Sequence, residues 1–370
     1  MDKKLKIAII GSRGYPYIYS GYETLVKELS ERLIKKGHKV RVYCHSSLFK
    51  KKPRQVNGIE LIYTPSIETK FLSQIVNSFF SFIHVCFSNV DVVFVVNSAN
   101  GPFGILTRIA RKKTCINVDG LEWLRPKWKG LGSYYFIIAS KLSTILFDEI
   151  ITDSFEMQNI YKDKFQANST VIAYGSTMKK TTENSFLKKM DLETSNYYLL
   201  VGRLIPDNNS KLILSSFVKS NSKKKLVIVG DEPYGDLYSK RIKKVFDKRV
   251  VFTGYINNQN YLTQLYSNCF AYIHGHEFGG TNPTMINALT LGCNILALDT
   301  KFNREMLANK KSILFKKNIM DLKILFNNLN SDDLLKKISD EKYNLPVIYS
   351  WTKIIDNYEI LFKKLVKRIK

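Results

Sequence analysis

The sequence predicts an α/β protein of two lobes, each built on a doubly wound parallel sheet. Three observations carry that prediction. Buried-strand runs alternate with amphipathic helix patterns from Lys6 onward. The alternation breaks at a polar, charged stretch, Thr177 to Asn196, and restarts at Tyr197. Glycines stand just past several strand ends, where open α/β sheets hold their ligands. The 370 residues suffice for two domains with separate cores. We read 1–180 as an N-terminal Rossmann-like domain, 181–196 as a linker, 197–350 as a second such domain, and 351–370 as an amphipathic helix.

Lys6 to Ile10 is a buried strand, and Gly11 to Gly21 a glycine-rich aromatic loop. Leu25, Val26, Leu29 and Leu33 then recur at helical spacing, and Gly37 ends that helix. The loop lacks the GxGxxG spacing and is too long for that fingerprint, which argues against a nicotinamide cofactor. Val40 to Cys44, Val56 to Tyr63 and Val90 to Val96 read as further strands. Phe71 to Phe87 is rich in Phe and Ile but contains Gln74, Asn77 and His84, and its 17 residues fall short of a membrane span. Two readings of it stay open: a partly buried amphipathic helix, or one lying in a lipid interface. A helix Ile105 to Lys112 and a strand Thr114 to Val118 lead to Asp119 and Glu122. These are either site carboxylates at a strand end or a turn aspartate and a helix-start glutamate. Leu124 to Gly130 reads as a basic-aromatic loop. Helix Tyr134 to Phe147, strand Glu149 to Thr152, an Asp153-Ser154 cap and strand Val171 to Ala173 complete the first half.

In the second half, strand Tyr197 to Val201 runs into Gly202-Arg203, and a helix begins near Ser210. Strand Lys225 to Val229, helix Leu237 to Phe246, strand Val250 to Phe252 with Gly254, and helix Tyr261 to Ser267 follow. The stretch Ala271 to Asp299 organises the rest. It begins as a strand ending near His274 and His276, breaks at Gly279-Gly280, and restarts at Thr281, Asn282 and Pro283 as a capped helix. Such a helix start leaves N–H groups aimed outward at the positive end of the helix dipole, a site for phosphate. It is equally an ordinary strand–turn–helix of an α/β sheet. Arg203 either brackets a diphosphate from the neighbouring strand end or pairs with Asp207 on the surface.

A formal charge of +25 implies a polyanionic environment. Nucleic acid is not the expected partner, because the basic residues spread over many helices and the aromatics cluster with aliphatics. The five cysteines show no metal or redox spacing and read as reduced thiols of a cytoplasmic protein. The first residues enter a strand directly, unlike a signal peptide. P-loop, nucleophile-elbow, HExxH and kinase signatures are absent.

Several motifs together resemble the GT-B glycosyltransferases. Val201-Gly-Arg-Leu-Ile-Pro-Asp207, Val229-Gly-Asp231, Phe252-Thr-Gly254 and the 274–299 region are similar to the large retaining family numbered four. Gly11-Ser-Arg-Gly-Tyr-Pro16, Gly21-Tyr-Glu23, Asn117-Val-Asp-Gly-Leu-Glu-Trp123, Asp153-Ser154, Ala173-Tyr-Gly175 and His274-Gly-His276 with Gly279-Gly-Thr-Asn-Pro283 resemble a subgroup of bacterial rhamnosyltransferases that build capsule and cell-wall polysaccharide.

The resemblance implies two Rossmann-like lobes facing a central cleft, with the C-terminal helix crossing back to the first lobe. The first lobe would bind the acceptor and the second the nucleotide sugar. Arg203 and Asp119 would be catalytic. Gly21, Gly254, Gly279, Gly280, Thr281, Asn282 and Asn287 would hold the donor. Tyr15, Glu122, Asp153, His274 and His276 would touch acceptor or sugar. It implies no metal and no cofactor beyond the donor itself, here dTDP-rhamnose. The acceptor would be a polyprenyl-diphosphate-linked saccharide at the anionic inner face of the plasma membrane, drawn by Lys35, Lys36, Lys50 to Lys52 and Arg54. Asn287 departs from the family, which has a glutamate there for the nucleotide ribose; its amide oxygen accepts without charge. Asn208-Asn209 replace an expected lysine, for which Lys211 is the candidate substitute. The rival functions are a nucleotide-sugar epimerase on the same scaffold and a non-catalytic polyanion- or membrane-binding protein.

Overall fold

Uninterrupted apolar runs make strands buried on both faces, and such runs form the middle of both sheets in the computed structural model. It describes residues 3–16, 21–67, 69, 72–128, 130–231, 237–308, 310–329 and 344–368. The chain divides into two units, Met1–Gly175 with Val347–Lys370, and Ser176–Pro346.

The first unit carries eight strands: β1 (Lys6–Ile10), β2 (Lys39–His45), β3 (Gln55–Val56), β4 (Ile59–Thr64), β5 (Val92–Val96), β6 (Thr114–Asn117), β7 (Glu149–Thr152) and β8 (Thr170–Val171). They lie in the order β3-β4-β2-β1-β5-β6-β7-β8. All pairs are parallel except β3–β4. That exception corrects the single strand expected over Val56 to Tyr63. Asn57 and Gly58, with φ of 51° and 79°, close a two-residue hairpin there.

Among the described residues the helices that connect these strands are α1 (Gly21–Lys35), α2 (Leu72–Cys86), α3 (Gly104–Ile109), α4 (Leu131–Leu146) and α5 (Phe155–Phe165). The β1–β2 connection steps one way across the sheet, while β4–β5, β5–β6 and β6–β7 step the other. Right-handed crossovers therefore put α1 on one face and α2, α3 and α4 on the opposite one. The C-terminal helix (Trp351–Lys367) packs against α1 and β5. Its Tyr358 and Phe362 rings lie 5.2 and 5.9 Å from Phe94. Lys36 of α1 is held by Asp356 at 2.8 Å and Glu359 at 2.7 Å. Lys35 and Lys36 thus sit across the sheet from α2.

The second unit has β9 (Tyr197–Val201), β10 (Lys225–Val229), β11 (Val250–Gly254), β12 (Ala271–His274), β13 (Ile295–Leu298) and β14 (Ile313–Phe315). Its sheet is parallel throughout, in the order β11-β10-β9-β12-β13-β14. The helices are α6 (Ser185–Lys189), α7 (Ser210–Val218), α8 (Leu237–Lys243), α9 (Gln259–Asn268), α10 (Pro283–Thr290), α11 (Lys301–Met306) and α12 (Ile319–Asn328). Tyr198, Phe217, Phe270 and Phe326 form the aromatic centre of its core. The expected linker, 181–196, is packed structure: Phe186 of α6 stacks on Tyr261 of α9 at 4.3 Å, and its N–H donates to Gln264. No described helix is long and apolar enough to cross a membrane.

Candidate active site

The order of the second sheet reverses between β9 and β12, and ligands of open α/β sheets bind outside strand ends at such a point. Tyr198 pairs with Ala271 and Leu200 with Ile273, so the two strands finish side by side. Gly202-Arg203 leaves one and Gly275-His276 the other. A Cβ on Gly202 would come within 3.0 Å of the His276 ring. The loop after Arg203 is tied to the exit of β12 by buried asparagines. Asn208 donates to the Arg203 carbonyl at 2.8 Å, and Asn209 to the Gly275 carbonyl at 2.8 Å and Glu277 Oε1 at 2.9 Å. Gly275 permits this closeness, since a Cβ there would lie 2.5 Å from the Asn208 carbonyl oxygen. Arg203 itself is partly exposed, and its guanidinium has no hydrogen bond or ion pair among the described residues. It does not pair with Asp207. Lys211 is exposed in the first turn of α7.

Helix α10 begins as its sequence signals. Asn282 is the N-cap, in extended conformation, with Pro283 next. Asn282 Oδ1 accepts from the Thr284 N–H at 3.0 Å and its hydroxyl at 2.7 Å. Gly279, at φ 110°, makes the preceding turn, a conformation open to glycine. The N–H groups of Gly279 and Gly280 have no partner among the described residues. The Asn282 N–H is covered by Met306 Sδ at 3.4 Å, so this amide is not an open anion donor as expected. Thr281 is buried.

A buried chain of hydrogen bonds fixes this turn from below. Tyr272 donates to Thr284 Oγ1 at 2.8 Å, and its oxygen lies 2.9 Å from His274 Nδ1. With the Tyr272 proton directed at Thr284, His274 carries its proton on Nδ1 and donates it to Tyr272. Burial pushes the His274 pKa down to about 3, so the ring is neutral. His276 stacks on it at 4.5 Å. His274 is fully buried, which corrects its assignment as a sugar contact: it supports the turn. Asn287 Oδ1 accepts from Ser176 at 2.7 Å, so the oxygen expected for the ribose already has a donor. Gly254 ends β11 at the sheet edge, two strands from β9, and its carbonyl accepts from the Gly230 N–H at 2.9 Å.

In the first unit, Asp119 follows β6 within a cluster of carboxyls and tyrosines. Tyr174 donates to Asp119 Oδ2 at 3.0 Å and Tyr22 to its carbonyl at 2.7 Å. Burial raises the Asp119 pKa, opposed by the Tyr174 bond and Arg125; Glu122 pushes it up further. The buried Asp153 is hydrogen-bonded to it. Glu122 opens a 3-10 turn and is taken on both oxygens, by Arg125 at 2.9 Å and Trp128 at 2.7 Å. It is a structural carboxylate. Tyr15 is likewise corrected to a packing residue. It is 1% exposed, donates to Glu31 at 2.7 Å and accepts from Asn57 at 2.7 Å. Gly21 opens α1, while 17–20 of its loop lie outside the described residues. The sequence had no signal for the asparagine staples or for Tyr272, because each depends on a partner distant in the chain.

The two-lobed α/β fold is that of the GT-B glycosyltransferases, and the chain is a glycosyltransferase. Residues 182–344 match the family described as glycosyl transferases group 1, and residues 4–177 match a domain of unknown function (DUF1972). No curated protein matches the chain in sequence. Among solved structures it is similar to sucrose-phosphate synthase from Thermosynechococcus elongatus, at 14% identity and a TM-score of 0.80, covering 98% of this chain and 99% of that one. Anabaena HepE, solved with UDP and glucose, matches at 14% identity and a TM-score of 0.77, over 97% of this chain and 100% of that one. WaaG, a glycosyltransferase involved in lipopolysaccharide biosynthesis, matches at 12% identity and a TM-score of 0.68, over 98% of both chains.

Proposed function

We propose that the protein moves rhamnose from dTDP-rhamnose to a polyprenyl-diphosphate-linked saccharide, with retention, in bacterial cell-surface polysaccharide synthesis at the inner face of the plasma membrane. The observation that carries the donor half is the switch point of the second sheet. There Arg203, whose guanidinium has no partner among the described residues, leaves β9 next to β12, and the turn after β12 carries the partly exposed Gly279 and the buried Gly280, whose N–H groups have no described partner either. A diphosphate is the chemistry such donors recognise. Support for a nucleotide-sugar donor comes from HepE, solved with UDP-glucose, and for a surface-polysaccharide role from WaaG.

In this reading the bond from the anomeric carbon to the diphosphate breaks, and the acceptor oxygen bonds to that carbon on the same face. The departing diphosphate takes the acceptor's proton. Arg203 and the turn amides stabilise its charge, and the reaction calls for no metal ion. Asp119, with Tyr174 on one carboxylate oxygen, is the first unit's candidate contact for a sugar hydroxyl.

A thermal-shift panel of dTDP-, UDP-, GDP- and ADP-sugars tests the proposal. A ligand at a hundredfold its dissociation constant stabilises by about 2.7 kcal/mol. We expect dTDP-rhamnose to give the largest shift and transfer to survive EDTA. No shift from any nucleotide sugar would overturn the donor assignment.

A further inference from the structure

Three neighbouring helices of the first unit turn mostly small or polar side chains inward and a stripe of large apolar ones outward. In α2 most of the side facing the sheet is polar: Ser73, Asn77, Ser78 and Ser81 are buried, with Phe82 and Val85 at its C-terminal end. Asn77 donates to Thr64 at 2.8 Å, Ser81 meets the same hydroxyl at 2.9 Å, and Ser78 donates to Asn100 at 2.5 Å. The outward side is Leu72, Ile75, Phe79, Phe80 and Ile83. Helix α3 repeats the pattern, with Gly104 and Thr107 inward and Ile105 and Ile109 outward. In α4, Ala139, Ser140 and Ser143 point inward beside the buried Phe136, and Leu131, Tyr134, Ile138 and Ile145 outward. A helix that packs on a sheet and faces water has the opposite polarity. These three lie on one face of the sheet, α2 touching α3 and α3 touching α4. The outward residues therefore make one apolar surface, of the kind that marks an interaction site.

Its charge selects the occupant. The three helices contain no Asp or Glu, and the charged side chains they do carry are Arg108 and Lys141. On the flank of α4, Lys141 and Lys164 border a shallow groove of about 380 Å³ lined by Ile137, Ile138, Leu142 and Phe165. Helices without a carboxylate, bordered by Lys141 and Lys164, match the boundary between acyl chains and anionic headgroups, and the acidic side chains nearby, Asp148 and Asp163, lie outside them in the chain. A second copy of the chain fits less well, since a two-fold contact would set these cations against their own counterparts on a protein of charge +25.

We propose that the α2–α3–α4 face lies on an anionic phospholipid bilayer. Phe79, Phe80, Ile83 and Ile109 enter the interface, and Arg108, Lys141 and Lys164 meet lipid phosphates. The surface deepens the membrane-acceptor reading, on which its purpose rests, but it is tested without donor or acceptor.

Vesicle flotation of the full chain reads it directly, comparing phosphatidylcholine with phosphatidylcholine–phosphatidylglycerol vesicles at low and high salt. Wild type should float with the anionic vesicles and less so in high salt. Phe79→Ser/Ile83→Ser should lower the bound fraction at least tenfold at both salts. Lys141→Glu/Lys164→Glu should remove the preference for phosphatidylglycerol. Urea unfolding and the nucleotide-sugar thermal shift of each variant should match wild type. Failure of wild type to float, or variants that float like wild type, would overturn the surface while leaving the donor site standing. So would a dimer that the serine variant splits with vesicle binding intact. A lost donor shift with flotation intact would instead overturn the proposed reaction alone.

Discussion

Replacing Arg203 by alanine separates binding from folding, because the side chain has no hydrogen bond or ion pair among the described residues. Its guanidinium is partly exposed and has no described partner, so its removal orphans no buried group. The expected cost to folding stays within about 0.5 kcal/mol. The cost to a diphosphate ligand is larger. A hydrogen bond to a charged group contributes about 1.5–3 kcal/mol, and a two-pronged contact to neighbouring phosphate oxygens loses roughly 3 kcal/mol in all. At 1.4 kcal/mol per decade this is about a hundredfold in affinity for dTDP. The transition state carries more charge on the departing diphosphate, so kcat/KM should fall further, by roughly 10³. Arg203→Lys keeps a point charge without the fork and should recover about half the loss in free energy. Calorimetric titration of dTDP into the three proteins, beside urea unfolding, gives both quantities. A folded alanine variant that binds dTDP as wild type does would refute the placement of the diphosphate at the β9–β12 switch point.

Asn287→Glu supplies a carboxylate where Ser176 now donates to an amide oxygen, and should tighten nucleotide binding by about three- to tenfold; weaker binding would argue against a ribose contact there. Tyr272→Phe leaves the buried His274 N–H without its acceptor and should destabilise the second unit by about 1–3 kcal/mol, read as a lowered urea midpoint. Glu359 gives a pH test. Burial works to raise its pKa, but Lys36, Lys363 and His38 outweigh it and hold the group at about 2, against 4.5 for a free glutamate. A depressed carboxyl contributes stability above its unfolded pKa and loses it as pH falls through the folded one. The contribution should therefore be complete above pH 4.5 and fade towards pH 2. With surface screening it amounts to about 1–2 kcal/mol. Glu359→Gln should flatten that acid limb, and an unchanged limb in pH-dependent urea unfolding would count against the cluster.

Features whose meaning is local were legible in the sequence. Tyr197–Val201 reads as a central strand from its unbroken apolar run, and Asn282-Pro283 reads as a helix start because cap and first turn are adjacent residues. Direction was not legible. Periodicity shows that α2 has an apolar stripe, but which side of a stripe meets the sheet is decided by distant partners such as Thr64 and Asn100. The same holds for Tyr15 and Glu122. Both sit in motif-like surroundings, and both are claimed by Glu31, Arg125 and Trp128 once the chain folds. Asn57-Gly58 was a readable hairpin signal, hidden because apolar residues on both sides make one continuous run.

The last helix imposes an order of events during synthesis. Phe94 waits for Tyr358 and Phe362, which leave the ribosome after every residue of the second unit. The half that is translated second is contiguous and can settle first. The half that is translated first lacks the cover of this helix over β5, beside α1, until the helix emerges.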